Sequence, residues 1–115
     1  MFEYHGWFSS TKEANVGEIE KKLRQLNFPY PASVTYVNGN MHISFSGNPN
    51  HKGDYIESIT DCLLQLNLGL YGIIYTNDAD SENYNRFNVI KVINDKKYMH
   101  EDKNFTIEET RLLFE

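Results

Sequence analysis

The stretch from Leu70 to Ile93, LYGIIYTNDADSENYNRFNVIKVI, constrains the fold most. Two apolar, β-branched runs flank a segment crowded with acids and asparagines. Leu70 to Tyr75 is apolar at nearly every position and too short for a helix, which predicts a strand covered on both faces. In the second run Phe87, Val89 and Ile93 share one parity, and Ile90 and Val92 share the other. This is again a strand, with Lys91 near an edge or reaching outward. Asn77 to Arg86 sets Asp78, Asp80 and Glu82 against Arg86 in a composition that favours turns. A central hairpin with a long acidic tip is predicted.

The remaining elements can be read around that hairpin. Phe2 to Ser9 is a strand with aromatic mass on both faces, in which Gly6 lets a bulky neighbour approach closely. Ser10 to Glu13 has the spacing of a capping box. Val16, Ile19, Leu23 and Leu26 then form one helical stripe that ends at Pro29 and Pro31. Asn38-Gly39 is a two-residue hairpin turn, and it sets Val37 opposite Asn40, Tyr36 opposite Met41 and Val34 opposite Ile43. The apolar residues of Ser33–Val37 and Met41–Ser46 then fall on one face, and Thr35, His42 and Ser44 on the other. Gly47 to Gly53 is a loop. A second helix opens near Asp54, with Asp54 and Glu57 spaced as a capping box, carries Ile56, Ile59, Leu63 and Leu66, and stops at Gly69. Asn94-Asp95 turns the chain into an edge strand, Lys96 to Glu101, and Thr106 to Glu109 opens a short terminal helix with Ile107, Leu112 and Leu113. The sum is a single α+β domain over 1–115. It consists of a mainly antiparallel sheet of about six strands, two helices on one face and a short C-terminal helix.

Charge and cysteine usage narrow the function classes. The 11 basic residues are scattered among 16 acids, for a formal charge of -5. That argues against holding a phosphate backbone, which needs clustered lysine and arginine, and steers the chain toward basic partners. Cys62 stands alone, so no internal disulfide forms and a reducing compartment is expected. The opening MFEYHGWFSS lacks a basic stretch and apolar signal core, and no run approaches the roughly 20 apolar residues of a membrane span. The expectation is a cytosolic protein that does not meet a membrane.

No residue pattern assembles a catalytic, cofactor or metal site. His5, His42, His51 and His100 lie far apart without tight ligand spacing. His5 and Trp7 read as a packed, hydrogen-bonded pair, and His51 as a loop anchor. Cys62, beside the Ile59 and Leu63 stripe, reads as a buried inert thiol with no basic neighbour. Asp78, Asp80 and Glu82 loosely resemble calcium ligands. Counted from Asp78, however, Tyr84 is seventh and Val89 twelfth, so the glycine and the bidentate acid of a calcium loop are missing. Two other readings of these acids stand level: a solvated hairpin tip, and a recognition loop presented beside Tyr84 to a basic cleft. A small hydrolase using an acid with His51 or His5, and a calcium-modulated binding module, are the alternatives from other classes.

FEYHGW at the start, FSGNPNH leading into a helix, and LYGIIYTNDAD followed by NRFNVIKVINDKKYMHED together resemble the immunity protein 7 family of bacterial polymorphic toxin systems. The likeness runs from Phe2 to about Asp102. The tail departs from it, with Lys103-Asn104-Phe105 where a proline-containing stretch is expected. The resemblance implies a cytosolic antidote of contact-dependent growth inhibition or a related system. Such a protein binds the C-terminal domain of a cognate toxin, does no chemistry and carries no cofactor. With an acidic chain the expected partner is a basic nuclease domain, bound one-to-one with its active cleft occluded. Asp78, Asp80, Glu82 and Tyr84 at the tip, with Tyr98, Glu101 and Asp102 on the last strand, are the expected contact residues, the tyrosines as aromatic anchors.

Overall fold

In a computed structural model the described residues are 1–13, 15–26, 32–50, 53–82 and 84–106, with only the backbone of 103–106. In chain order the elements are β1 (Phe2–Ser10), α1 (Val16–Gln25), β2 (Ser33–Val37), β3 (Asn40–Gly47), α2 (Tyr55–Leu64), β4 (Tyr71–Asp78), β5 (Arg86–Ile93) and β6 (Lys96–Thr106). The six strands form one sheet in the order β2-β3-β1-β4-β5-β6, and every neighbouring pair is antiparallel. β1 therefore lies at the centre beside β4, which joins the two hairpins.

The strand period of two divides the sheet's residues between its faces. Phe2, Tyr4 and Phe8 of β1 join Met41, Ile43 and Phe45 of β3 and Ile74 of β4 in one buried cluster. Ile19 of α1 and Ile56, Ile59 and Leu63 of α2 close over it. Both helices thus cover the same face, as the apolar stripes predict. The Asn38-Gly39 hairpin forms in the expected register, with positive φ of 53° and 79° at its two turn residues. Asn94 and Asp95 repeat the device, with φ of 49° and 65°.

Several local expectations are corrected. Ser10 does not cap α1. It ends β1, where its hydroxyl donates to the Leu68 carbonyl and accepts from the Lys12 N–H. Asn15 is the cap instead, accepting at 3.1 Å from the Glu18 N–H. α2 begins where expected, yet Asp54 makes no side-chain capping bond. α2 ends at Leu64, so Leu66 packs on the core from beyond the helix, and Gly69, at φ 63°, serves the entry to β4. Thr106, expected to open the terminal helix, instead ends β6, which runs past the expected Glu101. Pro29, Pro31, His51 and the rest of that helix, expected over Ile107 to Leu113, lie outside the described residues.

β4 brings the largest correction. It was expected to be covered on both faces, but Tyr71 is exposed and Ile73 and Tyr75 are only half-buried. Their parity is that of the face opposite the helices, which no described element covers.

Candidate functional site

Register places the residues of that open face in cross-strand rows. Ser44, Trp7, Ile73, Lys91 and Tyr98 follow one another from β3 to β6. The row on the tip side runs Ser46, His5, Tyr75, Val89 and His100, and on the other side His42, Ser9 and Tyr71 are aligned. Trp7, Tyr71 and Tyr98 are 49%, 47% and 46% exposed. Phe87 meets Tyr75 edge-on with centroids 5.6 Å apart. Aromatic area at low side-chain entropy, with few charges among it, is the composition of an interface centre rather than of ordinary surface. The expected pairing of His5 with Trp7 is replaced by a 3.0 Å contact between His5 Nε2 and Glu3 Oε2 in solvent.

At one end of this face stands the acidic tip. β4 runs to Asp78 and β5 starts at Arg86, so the tip is shorter than the expected Asn77 to Arg86, and it is bonded within itself. Asn77 Nδ2 donates to the carbonyls of Tyr84 at 2.7 Å and Arg86 at 3.1 Å, spanning the loop. Asp78 Oδ1 accepts from the Asp80 N–H, and the Ser81 hydroxyl donates to the Asp78 carbonyl. The Ala79 N–H donates to the Met1 carbonyl at 3.0 Å, fastening the tip to the start of β1. Asp80 also meets the terminal ammonium of Met1 at 3.2 Å. Asp80, Glu82 and Tyr84 project into solvent from this mount, while Asp78 is half-buried.

The seven expected contact residues are thus divided. Asp78, Asp80, Glu82 and Tyr84 gather at the tip. Tyr98 lies on the edge strand β6 of the open face, in the same cross-strand row as Trp7 and three strands away from it. Glu101, opposite Asn88, lies on the helix side of the sheet near the tip end, and Asp102 adjoins the irregular pairing between Arg86 and Asn88. Sequence reasoning missed Trp7 and Tyr71 as surface residues and Ile73 as a half-buried residue of the same face. The available signal was that two short helices cannot cover six strands on both faces.

Among the described residues no group of three or more histidines, cysteines and acids is placed to hold a metal ion. Cys62 is half-buried. Burial pushes its thiol above the ordinary range, and Lys22, a basic neighbour not foreseen from sequence, offsets part of that rise. No helix among the described residues is long and apolar enough to cross a membrane.

A family model described as immunity protein 7 matches residues 1–106. The chain belongs to the immunity protein 7 family. No curated protein and no solved structure matches it. Family membership makes this an immunity protein, whose partner is a cognate toxin. The match spans all six strands and both helices, so the open face and the tip are parts of the family domain.

Proposed function

We propose that this immunity protein is a cytoplasmic, non-enzymatic antidote that binds the C-terminal domain of its toxin one-to-one and blocks a cationic active cleft, the toxin being a nuclease. The observation that carries the reading is the meeting, at one end of the sheet, of a rigidly mounted acidic tip with an uncovered aromatic face. Asp78, Asp80, Glu82 and Tyr84 address the cleft, and Glu101 and Asp102 extend the negative rim. Tyr98 with Trp7 supplies the apolar centre that electrostatics alone lacks. Complementary charge speeds encounter and fixes register, and buried aromatic anchors hold the complex. A nuclease cleft is basic because it must hold phosphate, which suits an acidic inhibitor.

The test is co-expression with the C-terminal domain of the toxin encoded beside this gene. Rescue of growth and a one-to-one complex on size-exclusion chromatography with light scattering are expected. A toxin domain that stays free and active in the presence of excess immunity protein overturns the reading.

A further inference from the structure

The helix side of the sheet carries a second feature, separate from the aromatic face. A cleft of about 390 Å³ lies between α2 and the β4-β5-β6 part of the sheet. Its base includes Phe2 and Ile90, both buried, and Met99 on β6 is 74% exposed at its margin. Three carboxylates line it: Glu57 and Asp61, one turn apart on α2, and Asp78 at the tip end of β4. Lys97 is the one cation among the described lining residues, and its ammonium sits 3.2 Å from Asp61 Oδ1. Among the described residues neither Glu57 nor Asp78 is paired with a cation. Thr60 also lines the cleft. It is 1% exposed, and its hydroxyl has no hydrogen-bond partner among the described residues. A buried hydroxyl left unpaired is a standing loss of stability, unless something that enters the cleft pairs with it.

Resting on the reading of this chain as a toxin-binding inhibitor, we infer that the cleft between α2 and β6 receives an arginine side chain of the toxin, its stem over Ile90 and Met99 and its guanidinium among Glu57, Asp78 and Thr60. An apolar base with acids at the rim suits a side chain that is aliphatic along its length and cationic at its end. Acids on two different elements, α2 and β4, with a buried hydroxyl acceptor lining the same cleft, suit the planar fork of five donors better than a single ammonium. Lys97 already holds the Asp61 end, so the incoming cation belongs at the tip end. That placement puts it next to the acidic tip and within reach of the same partner.

The cleft can be tested without the toxin by titrating N-acetyl-arginine amide into the labelled full chain and following amide shifts by NMR, with the neutral citrulline amide alongside. Saturable shifts centred on Thr60, Ile90 and Met99 are expected for the arginine compound, with binding about threefold weaker in each of Glu57→Gln and Asp78→Asn. Equal binding of the citrulline amide, or shifts spread over the tip alone, overturns the inference. Thr60→Val should raise the melting temperature of the free protein by removing the unpaired hydroxyl, and should also weaken arginine binding. A purely structural threonine would give only the first effect. In the toxin complex, Glu57→Gln with Asp78→Asn should raise Kd about tenfold. If wild type forms no complex, the functional reading fails while the amide titration still decides the cleft. If wild type and the double variant bind the toxin equally, the cleft inference fails alone.

Discussion

The ring of Phe45 occupies the space a side chain on Gly6 would need. The two residues are cross-strand partners of β1 and β3, and a Cβ built on Gly6 would lie 2.7 Å from Phe45 Cζ and 3.1 Å from Ile74 Cγ1. The close approach expected of Gly6 from sequence is therefore real, and its beneficiary is the central ring of the core. Gly72 is tighter still, because its Cβ would stand 2.1 Å from the Trp7 carbonyl oxygen, and backbone cannot turn aside as a ring can. Gly6→Ala should lower stability by about 1 to 3 kcal/mol in urea denaturation, and Phe45→Leu in the same chain should recover part of that loss. Gly72→Ala should be worse, about 3 kcal/mol or more, with no single side-chain change that rescues it. A near-neutral Gly72→Ala would count against the packing of β1 on β4 described above.

Asp95 combines two roles. It holds a left-handed position in the β5-β6 turn, and its carboxylate accepts at 2.8 Å from the N–H groups of both Gly69 and Leu70. Those two donors stand at the entry to β4, where Leu70 is fully buried. Glycine suits the backbone conformation better than aspartate but offers no acceptor. Asp95→Gly is therefore expected to destabilise by about 1.5 to 3 kcal/mol despite its more favourable turn. A variant as stable as wild type in the same denaturation assay would show that the turn, and not the carboxylate, matters.

Trp7 and Tyr98 should behave as binding residues rather than core residues. Each is about half exposed, so truncation to alanine should change the melting temperature little. Toxin affinity, measured by calorimetry, should fall by about 2 kcal/mol for each, as for aromatic anchors at interface centres. Unchanged affinity with both removed would place the toxin elsewhere on the molecule.

Reversal of the exposed tip charges separates steering from holding. Asp80→Lys with Glu82→Lys leaves intact the bonds that Asn77, Asp78 and Ser81 make to build the tip, apart from the exposed contact of Asp80 with Met1. The variant should fold normally, associate with the toxin far more slowly at low salt, and approach wild-type rates as salt screens the field. Full neutralisation by this variant at low salt would sink the role given to the tip.

Cys62 supplies a pH dependence whose sign is determined. Burial raises its thiol, and Lys22 counters part of the shift. The folded chain therefore keeps the proton to higher pH than the unfolded chain. The stability so conferred is complete below the unfolded value of about 8.5 and is lost as pH rises through the folded one. Stability should decline above that point, and Cys62→Ser should remove this share of the decline. Alkylation by iodoacetamide at neutral pH should be slow and should accelerate in urea, whereas rapid labelling of the native protein would contradict the burial of the thiol.

Much of the fold was legible because it rests on local signals. The period of Ile56, Ile59 and Leu63 and the Asn38-Gly39 and Asn94-Asp95 turns depend on neighbours in sequence, and the parity of β1 and β5 likewise needs no distant contact. These alone determine an antiparallel α+β domain with both helices on one face. Capping was less legible, because Ser10 and Asn15 are both competent caps, and the choice fell to the distant Leu68 carbonyl that claims the Ser10 hydroxyl. The acids of the tip were visible as a cluster, but their bracing against Met1 and the shared cleft between Asp78 and Glu57 join residues far apart in the chain. Only the tertiary structure could decide that Trp7, Ile73 and Tyr98 form one row on the uncovered face, with Trp7 and Tyr98 exposed. An apolar strand residue reads the same whether a helix lies over it or not, and coverage is settled by how much of the sheet two helices of 10 residues can span.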